Sequence, residues 1–450
     1  MSLIDTVLIF ILTISIIVTF HEYGHYIAAR LCGVKVLEFS VGFGKKLIGK
    51  NFGSDNTEYK ICVLPLGGYV KMLDEREGEV SCFEKERAFN NQSLLKRFII
   101  VFSGPLFNFI LAIFFYFLIF SSGYEGFKPK VGVVKAQSIA QEINMFPDDI
   151  IYSINDRKVN TWSDVTLQIV KLSSNEKDII FEVFRDGELI KLDTVGYENI
   201  LLDQSNILEN LGLLNFISKT LKIGYVEEGS PAYNSGLKIQ DEIISVNDNK
   251  VNNWNEIVNV IKKNPGNILN LYVLRNGQYK YLNVTPELIK NNNKKLGRLG
   301  ISPLIEDEEI KKNRITIKYG VFESIKLSFV KTYDFTLLTL NFIFKLVKGE
   351  VSAKSISGPV GIAGYASDSF KSGYTSYFGL LAMLSISIGI LNLLPIPMLD
   401  GGHLMYYLIE FIIKRPIPDR VQLVCQQVGV TFLILLSFFA LYNDLLRIML

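Results

Sequence analysis

Two of the three histidines in the sequence, His21 and His25, stand four residues apart in the pentapeptide HEYGH. On an α-helix this spacing places both imidazoles on one face, where they can bind one zinc ion beside a water-activating Glu22. H-E-x-x-H also occurs by chance, but here it lies in an otherwise apolar stretch. Because ionisable side chains are costly to bury in lipid, the pattern favours a functional site over two structural core histidines.

A catalytic zinc site usually has three protein ligands and leaves its fourth position to water. Asp400 is the candidate third ligand, in the segment NLLPIPMLDGGH, where Pro395 and Pro397 would break a helix. Irregular backbone at membrane depth is tolerated where it is buried in protein or lines a cavity. Spacing alone does not exclude His403 as the third ligand. Nor does it exclude that Asp400 is simply a carboxylate at the membrane interface.

Long apolar segments must position these residues, since hydrophobic residues make up 49% of the chain. A membrane helix needs roughly 20 apolar residues to cross a core of about 30 Å. We expect such helices over residues 1–30, 98–124, 372–403 and 421–443. The first is not a cleaved signal peptide, because it lacks a basic start and continues into HEYGH.

Four spans place both termini on one side of the membrane. Lys and Arg cluster near the opposite span ends, so the positive-inside rule predicts periplasmic termini and an active site in the cytoplasmic half of the bilayer. Residues 31–97 then form a cytoplasmic or membrane-associated region. Its alternating polarity around Gly-rich turns predicts strands or hairpins.

An internal repeat occupies the part between the second and third spans. DIIYSINDRKVNTWSDV from Asp149 matches DEIISVNDNKVNNWNEI from Asp241, an offset of 92 residues. This predicts tandem domains over residues 127–220 and 221–310. Residues 319–348 carry apolar side chains at helical spacing, which predicts an amphipathic helix. It would lie on the membrane surface, beside the spans or against the second domain.

These motifs together resemble the site-2 protease family of intramembrane metalloproteases, in particular its regulator-of-sigma-E branch. The resemblance covers essentially the whole chain and rests on HEYGH, GFG at 42–44, SGPLFNFILA, SGPVGIAGYA and NLLPIPMLDGGH. The second repeat, with GSPAYNSGLKIQDEIISVNDNKV, is similar to a bacterial protease PDZ domain. The first departs from that pattern, with Ile139 in place of Pro231 and Asn144 in place of Gly236.

The resemblance implies a polytopic α-helical membrane protein with four transmembrane helices, a cytoplasmic-side β element and two tandem PDZ-like domains on the exported side. It implies zinc bound by His21, His25 and Asp400, with Glu22 as catalytic base. Further candidates, for substrate binding, are Asn392, Gly42, Phe43, Gly44, Pro395 and Pro397.

The function implied by the resemblance is that of a zinc endopeptidase of the bacterial inner membrane. It would cleave membrane-spanning segments of single-span proteins, namely anti-sigma factors of the RseA kind after a first cut and remnant signal peptides. Cleavage would release a cytoplasmic fragment in envelope-stress signalling.

Two other classes of function remain alternatives at this point. A catalytically inert scaffold that binds through PDZ-like domains is the first, and the intact Glu22 argues against it. A metal transporter is disfavoured, because ligands are few and the spans show no inverted repeat. The net charge of +2 and the lack of a basic tract give no sign of a nucleic-acid partner.

Overall fold

The computed structural model describes residues 3–135, 137–196, 198, 207–214, 221–291, 294–304, 312–353 and 356–449. Two compact units divide the chain: Met1–Tyr124 with Ile317–Leu450, and Glu125–Thr316. The helices are α1 Leu3–Leu31, α2 Leu94–Ser122, α3 Ile139–Glu142, α4 Trp162–Ser174, α5 Ile207–Leu211, α6 Pro231–Asn234, α7 Trp254–Lys263, α8 Val321–Lys348, α9 Pro359–Lys371, α10 Tyr374–Leu393, α11 Asp400–Ile413 and α12 Asp419–Met449.

The strands are short in the second unit and long in the first. They are β1 Val36–Phe52, β2 Thr57–Met72, β3 Tyr124–Phe127, β4 Val133–Val134, β5 Ile150–Ile154, β6 Arg157–Lys158, β7 Ile179–Arg185, β8 Glu188–Val195, β9 Leu213–Leu214, β10 Ile223–Val226, β11 Glu242–Val246, β12 Asn249–Lys250, β13 Leu269–Arg275, β14 Gln278–Val284, β15 Glu287–Asn291, β16 Lys294–Arg298, β17 Ile301–Pro303 and β18 Arg314–Ile317.

Helices α1, α2, α10 and α12 contain the segments that are long and apolar enough to cross a membrane within the described residues. In lipid a helix satisfies its own backbone hydrogen bonds, so apolar residues on all sides are compatible with a stable helix. Helices α1, α2 and α10 share a core that includes Ile17, Leu111 and Ile386. Helix α1 approaches α2 closely at Gly24, where a Cβ atom would stand 2.4 Å from the carbonyl oxygen of Ser103.

The observed helices differ in extent from the expected spans. Helix α2 begins four residues before the expected residue 98, at Leu94. The segment expected over 372–403 is two helices, because α10 ends at Leu393 and α11 begins at Asp400. Helix α9 was not predicted. Helix α8 lies within the stretch 319–348 where a helix was predicted, and it packs Leu327 and Phe335 against the membrane-helix core.

Strands β1 and β2 fold into a sheet of four segments. Residues 36–41 pair with 68–72 on one side and with 58–61 on the other, and 57–62 also pair with 46–52. Segment 68–72 therefore lies at one edge of this sheet. The turn between the first two segments needs glycine at Gly42, where φ is +91° and a Cβ atom would stand 2.8 Å from the carbonyl oxygen of Leu64.

The second unit contains two modules with the same topology. Each has a four-stranded sheet, with the orders β6-β5-β7-β8 and β12-β11-β13-β14, and each has its own hydrophobic core. The sequence repeat therefore corresponds to a repeat in structure. The predicted boundary at residues 220 and 221 adjoins residues 215–220, and the predicted end at residue 310 lies within 305–311; both stretches lie outside the described residues.

The first module keeps the local geometry despite its sequence departures. Asn144 has φ of +59° where its counterpart Gly236 has +80°, so both positions use the left-handed region. Asparagine tolerates that region better than most residues, which explains how it can replace the glycine.

Candidate metal centre

His21, His25 and Asp400 converge in the first unit. Nε2 of His21 lies 3.2 Å from Nε2 of His25 and 3.1 Å from Oδ2 of Asp400. Nε2 of His25 lies 3.5 Å from the same carboxylate oxygen. Both histidines are buried. The structure thus brings together the three residues that sequence reasoning selected as ligands.

Helix α2 packs against the imidazoles of His21 and His25. At Gly104 a Cβ atom would stand 2.3 Å from Nε2 of His25 and 2.9 Å from Cε1 of His21. A side chain at this position would therefore occupy the space of the two rings. Pro105 follows inside the same helix, where it has no N–H to donate. Sequence reasoning did not single out Gly104, although it stands within SGPLFNFILA.

A helix break positions Asp400. The chain leaves α10 at Leu393 and begins α11 at Asp400, as Pro395 and Pro397 predicted. The connecting residues fold over the start of α11, so a Cβ atom on Gly401 would stand 2.1 Å from the carbonyl oxygen of Leu394. The glycine after Asp400 thus permits the loop to close against the helix and places the carboxylate beside the histidines.

Each imidazole also has a partner at Nδ1. Nδ1 of His25 lies 2.9 Å from the carbonyl oxygen of Ile100, and Nδ1 of His21 lies 3.3 Å from the Asn108 amide. Such contacts commonly orient metal-binding histidines and leave the other ring nitrogen free to bind. Sequence reasoning missed both residues, because these contacts depend on how α1 packs against α2.

The three residues fit a zinc ion. Ligand atoms about 2.0–2.1 Å from a tetrahedral zinc lie about 3.3 Å from one another, close to the observed separations. Two imidazole nitrogens and one carboxylate oxygen form a donor set that zinc accepts. Moreover, Oδ2 of Asp400 is buried, and no donor group among the described residues is aligned to hydrogen-bond to it.

Glu22 lines a cavity next to this cluster. The cavity has a volume of about 740 Å³, and His25 and Asp400 also contribute to its wall. Tyr69, Val70, Lys71 and Met72, from the edge segment of the β element, line it as well. The Glu22 carboxylate, two of the three potential ligands and a strand edge therefore face one space.

The remaining predicted residues lie at the cluster, on the cavity wall or away from that wall. Asn392 is at the cluster, with Nδ2 3.5 Å from Nε2 of His21. His403 lines the cavity but stands outside the group of close ligand atoms. Away from the cavity wall lie Gly42, Phe43, Gly44, Pro395 and Pro397.

Phe43 instead covers part of the β element. Its ring stacks on Tyr69 at 6.2 Å, and a Cβ atom on Gly67 would stand 2.1 Å from Cε2 of Phe43. It therefore packs on Tyr69 of the edge segment and on Gly67 beside it.

A charged group from the β element also lines the cavity. Oε2 of Glu38 accepts hydrogen bonds from Nζ of Lys60 at 2.5 Å and from the hydroxyl of Tyr69 at 2.9 Å. The bond from Lys60 is the main cause that holds the pKa of Glu38 below its ordinary value. The same bond raises the pKa of Lys60. This ion pair adds charged groups to the wall of the cavity.

The site combines histidines on a helix of membrane type with an aspartate beyond a helix break and a glutamate in the adjoining cavity. This combination is typical of a metal-dependent protease embedded among membrane helices. The profile of Peptidase family M50 matches residues 9–436. The chain belongs to this family, the site-2 proteases, and is a zinc metalloprotease.

Relatives match over nearly their whole length. Regulator of sigma-E protease RseP of Escherichia coli (strain K12) is 36% identical over 448 residues, 98% of this chain and 98% of the relative. A regulator of sigma E protease of Haemophilus influenzae is 34% identical over 443 residues, again 98% of each chain. A Vibrio cholerae protein provisionally named a zinc metalloprotease is 36% identical over 445 residues, 98% of each.

Proposed function

We propose that His21, His25 and Asp400 hold the catalytic zinc and that Glu22 is the catalytic base. The observation that carries this proposal is the mutual separation of the three ligand atoms, between 3.1 and 3.5 Å, around a carboxylate oxygen without an aligned donor. Buried ionisable groups on a membrane helix are costly unless they have such a purpose.

The bound zinc supplies Lewis acidity toward water and toward the scissile carbonyl. Glu22 takes a proton from the attacking water and delivers it to the nitrogen of the leaving amine, so it acts first as base and then as acid. Asn392, whose Nδ2 lies 3.5 Å from Nε2 of His21, would donate a hydrogen bond to the substrate carbonyl as negative charge develops on it.

The substrate class is a membrane-spanning helix that has been locally unwound. A helix hides its carbonyls in its own hydrogen bonds, so cleavage requires an extended stretch. The edge segment at residues 68–72 can receive that stretch by strand addition, because it lines the same cavity as Glu22. Phe43 packs on Tyr69 of this edge, Gly42 and Gly44 allow the turn that carries Phe43, and Pro395 and Pro397 shape the loop before Asp400.

The proposed setting is the bacterial inner membrane, with the termini and both modules in the periplasm. The positive-inside bias supports this orientation, and the names of the relatives support a role in sigma-E regulation. The natural substrates would be an anti-sigma factor after a first cut and remnant signal peptides. The two modules, which we take as PDZ-like, would select such trimmed substrates by peptide binding.

The test is cleavage of a tagged single-span protein by the purified full chain in liposomes. Wild type, Glu22→Gln and zinc-depleted wild type are compared, and exposed Glu323→Gln on α8 is the matched control. We expect product from wild type and from Glu323→Gln only, with recovery when zinc returns to the depleted sample.

Two results would contradict the proposal. Cleavage by Glu22→Gln at the wild-type rate would remove Glu22 from its catalytic role. Absence of product from zinc-loaded wild type across a panel of single-span substrates would instead favour a scaffold.

A further inference from the structure

Asn108 of α2 presents an unsatisfied amide to the metal centre. The side chain is fully buried, and its amide nitrogen lies 3.3 Å from Nδ1 of His21. The other amide atom, Oδ1, is buried without a hydrogen-bond partner among the described residues. A buried polar atom without a partner is uncommon in a folded protein and calls for an explanation.

The chemistry of a metal-binding imidazole supplies that explanation. When Nε2 offers its lone pair to a metal, the ring hydrogen is on Nδ1 and needs an acceptor. His25 has the carbonyl oxygen of Ile100 for this purpose. Among the residues that the structure describes, Nδ1 of His21 has only the amide of Asn108 as a partner. A half-turn of this amide replaces Nδ2 by Oδ1 at almost the same position.

The surroundings hold Asn108 in place and, in the part of the chain that the structure describes, exclude another hydrogen-bond acceptor for Nδ1 of His21. The hydroxyl of Ser385 on α10 donates to its backbone oxygen at 2.8 Å. Gly389 lies one turn further along α10, where a Cβ atom would stand 3.2 Å from Cβ of Asn108. Because Asn108 is fully buried, solvent water cannot take over as acceptor.

We propose that Asn108 is a positioning residue, whose Oδ1 accepts the Nδ1–H of His21 and fixes the tautomer that offers Nε2 to zinc. This inference rests on the proposed ligand role of His21. Asparagine suits the position because it is neutral, so it orients the ring without adding another charge to the buried cluster.

Zinc affinity in two substitutions tests the proposal on the full chain in detergent, by competition with a chelator. Asn108→Leu keeps the branching at Cγ but has no acceptor, and we expect roughly 10–100-fold weaker zinc binding. Asn108→Asp keeps an acceptor for the Nδ1–H of His21 and should bind zinc at least as tightly as wild type. Tyr116→Phe is the matched control and should leave zinc affinity unchanged. It removes from α2 a buried hydroxyl that has no hydrogen-bond partner among the described residues.

The tautomer of His21 gives a second readout, which can be measured in the wild-type protein. The chain has three histidines, so nitrogen NMR of histidine-labelled, zinc-loaded protein can be assigned by single substitutions. We expect the His21 signal to show a protonated Nδ1 in wild type, and a weakened Nδ1–H hydrogen bond in Asn108→Leu if that variant remains folded.

The outcomes separate this inference from the proposed function. If His21→Ala weakens zinc binding but folded Asn108→Leu binds like wild type, Asn108 has no positioning role while the ligand assignment stands. If His21→Ala binds zinc like wild type, the ligand assignment itself is wrong. Binding of zinc through Nδ1 of His21 in wild type would also overturn the inference.

Discussion

Gly104 lies against the imidazole of His25, so that a Cβ atom on this glycine would stand 2.3 Å from Nε2. A real Cβ atom cannot approach so closely, and both rings are buried. The absence of a side chain at Gly104 on α2 therefore leaves space for the two imidazoles of α1.

Gly104→Ala should accordingly displace His25 and, with it, the ligand geometry. We expect zinc affinity and proteolysis to fall by about 100-fold or more, at the upper end of what changes around metal ligands produce. Gly364→Ala in α9 is the matched control, because a Cβ atom there meets nothing within 4 Å. Wild-type zinc affinity in Gly104→Ala would show that the rings can move aside.

The sequence was informative where the chemistry is local. HEYGH sets two histidines and Glu22 on one helix by spacing alone, and two prolines announce the break before Asp400. Gly104 and Asn108 could not be assigned in this way, because their roles arise from the packing of α1 on α2. The resemblance to known proteases placed Asp400 ahead of His403, a choice that periodicity left open.

Helix α9 likewise could not be predicted from its local sequence. Its sequence PVGIAGYASDSFK contains two glycines, which disfavour helices, and its first turn lacks a capping side chain of its own. The cap comes from Asp444, which lies 86 residues beyond Gly358. A stabilising group so distant in sequence leaves no local signal.

Asp444 should therefore contribute to the stability of the first unit. Its buried carboxylate accepts hydrogen bonds from the backbone N–H groups of Gly358 and Gly361, both at 2.9 Å. Asp444→Ala would leave two donors unpaired, and we expect a loss of about 2–4 kcal/mol. Asp444→Asn, which keeps one acceptor, should lose less.

The measurement for Asp444 is thermal unfolding of the purified chain in one detergent. Exposed Asp368→Ala, near the end of α9, is the control and should change the midpoint little. Equal midpoints for wild type and Asp444→Ala would mean that the cap contributes nothing.

The Glu38–Lys60 pair should produce an acid-dependent loss of stability. The pKa of Glu38 lies below 4.5 in the folded chain, mainly because Lys60 donates to it. The stabilisation is therefore present above pH 4.5 and disappears as pH falls through the lower folded-state pKa. Glu38→Gln should lose this part of the pH dependence, because it cannot ionise.

Thermal midpoints on both sides of pH 4.5 measure this effect as the difference between wild type and Glu38→Gln. The difference should be largest at the higher pH and shrink on acidification. Exposed Glu79→Gln is the control for removing one carboxylate from the same region. A difference that grows on acidification would contradict the assignment.

Asp241 and Arg275 should fasten the second module. The carboxylate is fully buried and accepts hydrogen bonds from Nε and Nη2 of Arg275 at 2.6 and 2.7 Å. It also accepts the backbone N–H of Lys238 at 2.8 Å. Asp149 and Arg185 form the matching pair in the first module. Because both modules keep this arrangement while their surface residues differ, we take the pair as a determinant of the module fold.

Asp241→Asn removes the charge but keeps the shape, and it should destabilise the second module by about 2–3 kcal/mol, since the charge-assisted hydrogen bonds between Arg275 and a buried carboxylate are weakened. Hydrogen exchange in the full chain should then accelerate in β11 and β13, while β5 and β7 serve as an internal reference. Arg298→Gln breaks only exposed ion pairs with Glu227 and Glu287 and should have little effect. Unchanged exchange in β11 would show that packing, rather than this ion pair, holds the module together.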